Sequence, residues 1–316
     1  MGVVKMHIGI IGVGRVGKAI AYTLIHEHYV TELSLVDVVP KLTKTFAEEL
    51  RHVAAGLGKD VSIYSYESSS DVSGADIILI TAGKPRTADM TRRDLVRTNA
   101  KIMKGVAEEI FPNNKEARYV IIANPVDAMA TLFKSLTKAS YVISSGTHLD
   151  TLRFKAELAK TLKVSVASIE TYVAGEHGPN SVFLWSLTRI DGIPFDNFLA
   201  ERGLTVKKRE IEFKVKEISR EIIAVLGGTC YGPATAFRDI VRAIALSTGR
   251  ILSIAAPTRI PEIPEEVIVS IPQKVGRTLG YTLLDCLTDE EKEQIYQAGR
   301  AIYKTYLEAL KVLEKD

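Results

Sequence analysis

Six short runs in the first half of the chain constrain what it can fold into. They are Met6-His7-Ile8-Gly9-Ile10-Ile11, Leu33-Ser34-Leu35-Val36, Val61-Ser62-Ile63-Tyr64, Ile77-Ile78-Leu79-Ile80, Tyr119-Val120-Ile121-Ile122 and Tyr141-Val142-Ile143. Most are continuously apolar rather than alternating, as expected of strands covered on both faces. Between the first two, Val16, Ile20 and Leu24 recur at helical spacing. Strand–helix repetition of this kind predicts an α/β chain built on a doubly wound parallel sheet.

The pattern changes after about Ser145. A helix is predicted over Asp150 to Leu162, a β-rich stretch over Ile169 to Ile190, a charged helix over Val206 to Leu226 and another helix over Ala234 to Leu246. Turn-rich sequence with Pro257, Pro261 and Pro264 leads to more strands. The last helix starts at Thr288, with Glu291 completing a capping box. Its apolar face is Ile295, Ala298, Ile302, Tyr306, Leu310 and Leu313. A chain of 316 residues suits two domains. The expected units are 1–145, a dinucleotide-binding domain, and 146–316, an α+β catalytic domain. No Gly/Ser linker separates them, so tight packing is expected.

Composition excludes several classes of function. Lys plus Arg number 41 and Asp plus Glu 38, a net charge of +3, too small a bias for a nucleic-acid or anionic-membrane protein. The basic run Lys207-Lys208-Arg209 reads as a solvated helix face. Apolar runs fall far short of the roughly 18 residues of a membrane span. A strand beginning by about Val4 leaves no room for a signal peptide, and Met6 stands where a myristoylation signal needs Ser or Thr. The cysteines, Cys230 and Cys286, show no metal-site spacing, so a reducing cytoplasm is expected and no metal.

Gly12-Val13-Gly14-Arg15-Val16-Gly17 is a GxGxxG that follows a strand and opens a helix, and Asp37 stands 20 residues after Gly17. Together they form a Rossmann-type dinucleotide fingerprint. Gly12 permits the tight turn, Gly14 lets the backbone approach a pyrophosphate, and Gly17 lets helix and strand pack closely. The helix N-terminus offers free N–H groups to the phosphates. Asp37 would accept from the ribose diol and repel a 2′-phosphate, favouring NAD, while the nearby Lys41 leaves some NADP use open.

Four polar patterns stand at strand ends or at the start of the second domain, where such sheets bind ligands. They are Ala82-Gly83-Lys84-Pro85-Arg86 running on to Thr91-Arg92-Arg93-Asp94-Leu95, Asn124-Pro125-Val126-Asp127, Gly146-Thr147-His148-Leu149-Asp150-Thr151-Leu152-Arg153, and Gly175-Glu176-His177-Gly178. With the glycine fingerprint, their order and spacing resemble the lactate/malate dehydrogenase family over essentially the whole chain. The loop and Gly232-Pro233-Ala234 are most similar to the lactate-dehydrogenase-like, archaeal-type malate dehydrogenases.

The resemblance implies reversible hydride transfer between L-malate or oxaloacetate and NAD(H), the alternative being an L-lactate or broad L-2-hydroxyacid dehydrogenase. The residue chemistry fits a 2-keto acid reductase. His177 can supply the proton, Asp150 can accept its other ring N–H, and Arg153 can grip a 1-carboxylate with its planar fork. Asp150 and Arg153, three apart on one helix face, also suit a plain ion pair. Arg92 could polarise the keto oxygen; Arg93 reads as a solvated charge. Asn124 could bond the same oxygen, orient the nicotinamide or only shape a turn. Thr229 resembles a residue beside the nicotinamide, although a loop hydroxyl fits as well, and Cys230 reads as a packed thiol.

Arg86, three residues after the Ala-Gly pair, matches the position where the family reads the substrate's far end, with Arg in malate-type members and Gln in lactate-type ones. Arg15, Val16, Thr81, Ala82, Gly83, Asn99 and Ala123 are implied cofactor contacts, beside Gly12, Gly14, Gly17, Asp37 and Asn124. A homo-oligomer, dimer or tetramer, is implied too. Two departures stand out. Pro179-Asn180 follow GEHG where the family usually has Asp-Ser, so the loop's hydrogen bonding must differ. Thr87-Ala88-Asp89 stand where it usually has a Pro-Gly pair, adding a negative charge.

Overall fold

A computed structural model describes residues 4–85 and 91–314, the side chain of Arg92 excepted. In the first half the chain runs β1 (Met6–Ile11), α1 (Arg15–Ile25), β2 (Val30–Val36), α2 (Leu42–Gly56), β3 (Ser62–Tyr66), β4 (Ile77–Ile80), α3 (Arg92–Ile110), β5 (Arg118–Ile121), α4 (Val126–Thr137) and β6 (Val142–Ser144). It continues through α5 (His148–Leu162), β7 (Ile169–Glu170), β8 (Val173–Gly175), β9 (Ser181–Phe183), β10 (Arg189–Ile190), β11 (Ile193–Pro194) and α6 (Phe195–Glu201). The last elements are α7 (Lys208–Leu226), α8 (Tyr231–Ala245), β12 (Ile251–Arg259), β13 (Glu266–Lys274) and α9 (Asp289–Leu313).

The main sheet has the order β3-β2-β1-β4-β5-β6-β12-β13-β8-β9. Its first six strands are parallel, the doubly wound arrangement with its switch point between β1 and β4. Strand β4 shows why the apolar runs do not alternate. Ile77 and Leu79 face one core cluster while Ile78 and Ile80 face another, and all four are fully buried. Helices α3, α4 and α9 cover one face, and α1, α2 and α8 the other. From β12 onward the sheet is antiparallel. It joins the parallel part at one pair, Ala255 against Ser144, so the sheet runs on across residue 145. A small antiparallel sheet, β11-β10-β7, packs in a third cluster with α5, α6 and α7.

The structure corrects three expectations. Pro257 is not in a turn but inside β12, opposite Ile268 of β13 in an unbroken register. The other neighbour, β6, reaches β12 only at Ala255, so the N–H that proline lacks has no strand to serve there. Helix α8 begins at Tyr231 rather than Ala234, because Pro233 falls in the first turn, where helical N–H groups have no intrahelical acceptor anyway. Lys208 is not simply solvated: its Nζ lies 2.8 Å from Asp196 Oδ1 and 5.4 Å from the centre of the Trp185 ring. Among the described residues no helix is long and apolar enough to cross a membrane.

Candidate active site

The glycine loop joins β1 to α1 at the switch point. Gly12 has φ +96°, and a Cβ there would fall 2.6 Å from the Ala82 nitrogen, a backbone shape and approach only glycine allows. A Cβ on Gly17 would strike the Gly12 carbonyl, whereas one on Gly14 would meet nothing within 4 Å. Thr81 Oγ1–H donates to the Gly12 carbonyl at 2.6 Å, holding the loop against the end of β4. No side chain caps α1, so its first N–H groups stay available to an anion. The Asp37 carboxylate accepts from the Val13 N–H at 2.7 Å and the Val39 N–H at 3.0 Å. Each oxygen keeps acceptor capacity for a ribose diol. Open space beside Gly14, an uncapped helix and a carboxylate pinned at the end of β2 fit a dinucleotide.

Arg15 opens α1 and reaches across the molecule, its Nη1 donating to the Leu226 carbonyl at the end of α7 at 2.7 Å. A Cβ on Gly228 would lie 3.5 Å from Arg15 Cδ, so this contact brings the half-buried Thr229 stretch to the glycine loop. Val16 is half-buried in the first turn of α1. Asn99, fully buried on α3, clamps two further loops. Its Oδ1 accepts from the Lys84 N–H at 2.8 Å, and its Nδ2 donates to the Lys84 and Asn124 carbonyls at 3.2 and 2.6 Å. Gly83 fits between Asn99 and Ala123, each within 3.3 Å of where its Cβ would be. Asn124 is used here through its carbonyl, and its side chain is exposed.

The second half contributes a hydrogen-bonded chain. Helix α5 carries Asp150 and Arg153 one turn apart, and the loop after β8 carries His177. His177 Nδ1 lies 2.7 Å from Asp150 Oδ2, and Arg153 Nη1 donates to Asp150 Oδ1 at 3.0 Å. Asp150 is buried and His177 partly open. The Asp150 charge raises the His177 pKa from its usual 6.5, outweighing burial, with the bond to Asp150 and the Asp127 charge adding to the rise. Burial pushes Asp150 upward, but the charges and hydrogen bonds of His177 and Arg153 overcome it and hold its pKa below the usual 3.8. The ion pair expected of Asp150 and Arg153 is thus present, and the same carboxylate also orients the imidazole.

Asp127, the last residue of Asn124-Pro125-Val126-Asp127, has no task legible in the sequence. It is buried in the first turn of α4, and its carboxylate accepts the His177 backbone N–H at 3.0 Å. Its one signal was an acid following Asn-Pro, which an ordinary helix start also shows. The departure after GEHG has a local answer. Asn180 Nδ2 donates to Glu176 Oε2 at 2.6 Å, and the Asn180 carbonyl accepts from the Glu176 N–H at 3.3 Å. The loop therefore closes on itself despite Pro179. Helix α3 begins at Arg92, capped by Thr91 with Asp94 in a full capping box. Arg86, the Thr87-Ala88-Asp89 stretch and the Arg92 side chain lie outside the described residues. Cys230 and Cys286 are free thiols.

Comparison with known proteins agrees with this geometry. Residues 6–143 match the family model described as lactate/malate dehydrogenase, NAD binding domain, and residues 147–311 match the lactate/malate dehydrogenase, alpha/beta C-terminal domain. The chain is 41% identical to a malate dehydrogenase of Sulfolobus acidocaldarius over 98% of each. It is 34% identical to an L-2-hydroxycarboxylate dehydrogenase (NAD(P)(+)) of Methanocaldococcus jannaschii, over 98% of this chain and 100% of that one. Among solved structures, a lactate dehydrogenase from a Medee basin deep-sea metagenome library superposes with a TM-score of 0.90 at 25% identity, covering 96% of this chain and 99% of the other. A dinucleotide loop at the switch point of a parallel sheet, a His–Asp–Arg chain from the second half and matches to both parts of one family agree: the chain belongs to the lactate/malate dehydrogenase family.

Proposed function

We propose that the chain is an NAD-dependent malate dehydrogenase interconverting L-malate and oxaloacetate. The observation that carries this reading is the chain His177–Asp150–Arg153. When bound, NAD(H) supplies the hydride chemistry. Asp37, the loop Gly12-Val13-Gly14-Arg15-Val16-Gly17 and the clamped Thr81, Ala82, Gly83, Asn99, Ala123 and Asn124 would hold it.

The protein's own groups then manage charge and protons. Asp150 takes the Nδ1 side of the imidazole, which leaves Nε2 as the atom that gives a proton in reduction and takes one in oxidation. The raised His177 pKa keeps that proton in place toward neutral pH. Arg153, locked to Asp150 through one terminal nitrogen, is assigned the substrate's 1-carboxylate. Arg92 is assigned to the keto oxygen, Asn124 and Thr229 to binding beside it, and Arg86 to the second carboxylate. The greater identity to a named malate dehydrogenase supports malate over lactate. We further propose units at 1–145 and 146–316, a dimer or tetramer, and a cytoplasmic location.

The test is NADH oxidation with oxaloacetate and with pyruvate. Oxaloacetate should be strongly preferred in kcat/KM; equal use of both would remove the malate assignment, and only inertness with every 2-keto acid would count against an enzyme. The second reading, a broad L-2-hydroxyacid dehydrogenase with some NADPH use, is favoured by the Methanocaldococcus relative's name and by Lys41 beside Asp37. It predicts turnover of several 2-keto acids with either cofactor.

A further inference from the structure

Four buried side-chain polar atoms lack a hydrogen-bond partner among the described residues: Tyr29 Oη, Arg238 Nε and both ring nitrogens of His148. They share one charged web. His148 opens α5 and is only 4% exposed, and its Nε2 lies 3.6 Å from Asp239 Oδ2 on α8, beyond hydrogen-bond reach. Arg238 Nη2 donates to Asp239 Oδ1 at 3.2 Å, while its Nε lies 3.7 Å from Glu27 Oε1, just past the end of α1. Tyr29, fully buried, feels the charges of Glu27, Arg242, Arg238 and Asp239.

No side chain caps α5, so contacts with other elements set its first turn. Against β8 and β12, Thr151 Oγ1 accepts the Val173 N–H at 2.9 Å and donates to Ser253 Oγ at 3.0 Å. Against α8, a Cβ on Gly232 would lie 3.4 Å from Leu149 Cδ1, and His148 meets Asp239. Asp150 stands among these residues. For stability alone, histidine is a poor choice at 148. Leucine is of similar size and leaves no ring nitrogen unbonded. Asp239 would still keep its bond to Arg238, with Arg250 Nη1 4.0 Å from its Oδ2. A polar group buried against the local rule beside a site points to a task there.

We propose that His148 is a positioning residue for Asp150: its pairing with Asp239 seats the first turn of α5 on α8 and so fixes the carboxylate that orients His177 and Arg153. This rests on His177 as the proton donor proposed above. The Asp150 charge is the main cause of the raised His177 pKa, with Asp127 adding to it and Arg153 opposing it. Burial pushes Asp239 upward, but contact with His148, Arg238 and Arg250 overcomes it and holds its pKa below the usual 3.8. Lys155 of α5 also feels the Asp239 charge. If Asp150 loosens, imidazolium loses its partner, and protonated His177 is lost at lower pH.

The test uses His148→Leu, His148→Gln and Asp239→Asn in the full chain, reading thermal unfolding, NADH affinity, kcat and the pH limb of oxaloacetate reduction. His148→Leu should unfold at or above the wild-type temperature and bind NADH as before. Its kcat should fall roughly 10-fold or more, and its limb should move to lower pH. His148→Gln, whose amide can donate to Asp239, should recover part of the kcat. Asp239→Asn should move kcat and limb the same way, and adding His148→Leu to it should lower kcat no further than the larger single effect. A His148→Leu that loses stability and kcat together, with the limb in place, makes His148 a packing residue and overturns the inference. So does a wild-type limb in folded Asp239→Asn, whatever His148→Leu does. Near-normal turnover in His177→Asn would instead overturn the proton-donor reading on which it rests.

Discussion

One carboxylate bonds the ring of His177 and another bonds its main chain, and the balance of charges favours the imidazolium. With His177 as the proposed proton donor, reduction needs the protonated ring and oxidation the neutral one. With the pKa raised above 6.5, kcat/KM for oxaloacetate should be flat at lower pH and fall as pH rises through a point above 6.5, while malate oxidation rises through that same point. A reduction limb below 6.5 would contradict the assigned role of Asp150. His177→Asn should bind NADH normally yet turn over roughly 10²-fold more slowly or worse, the usual scale of proton-transfer catalysis; a Kd titration and initial rates decide. Substrate choice is proposed to rest on Arg86. An unpaired charge in a closed site costs several kcal/mol, so on that proposal oxaloacetate would gain a partner in Arg86 while pyruvate would leave that guanidinium alone. A difference of about 4 kcal/mol corresponds to roughly 10³-fold in kcat/KM. Arg86→Gln should shift preference toward pyruvate, and an unchanged ratio would remove Arg86 from the specificity site.

Helix α5 ties stability to the proposed chemistry. Asp150 and Arg153 lie on its first two turns, and Phe154, fully buried, anchors it to the third core cluster with its ring 5.0 Å from Phe183 and 4.8 Å from Trp185. Phe154→Ala should cost about 3–5 kcal/mol of stability through the cavity it leaves, measured by denaturant unfolding, and should lower kcat because the Asp150 carboxylate loses its fixed place. A stability loss with unchanged kcat would show that the first turn holds itself. At this scale much was legible from sequence. The six parallel strands, α1 and the capped start of α9 fall where runs, period and the Thr288–Glu291 pair put them, because each signal is local. Pro257 was not legible, since whether a proline is tolerated in a strand depends on which neighbour its edge faces. The Asp127 contact to His177 was not either, since it joins residues 50 apart in sequence.

In the whole molecule the two halves are not separate cores. One cluster packs Ile78 and Phe133 with Ile302 and Tyr306, and another packs Ile10 and Leu24 with Ile240 and Ile254. The sheet crosses residue 145 between β6 and β12, and Arg15 bonds Leu226 from the opposite half. Unfolding either half alone would strip both clusters of apolar cover at roughly 25 cal/mol per Å² exposed, so the halves should unfold together. Calorimetry is expected to give one main transition. Because the dinucleotide loop belongs to that same cooperative unit, NADH binding only the folded chain should move the transition as a whole. At a hundred times its Kd it adds about 2.7 kcal/mol. The cluster around Phe154, Phe195 and Phe198 draws on residues of the second half alone, so any early step belongs there and should not respond to NADH. Two comparable transitions, with NADH shifting only the first, would mean that the shared clusters do not couple the halves and that the site closes between independent bodies.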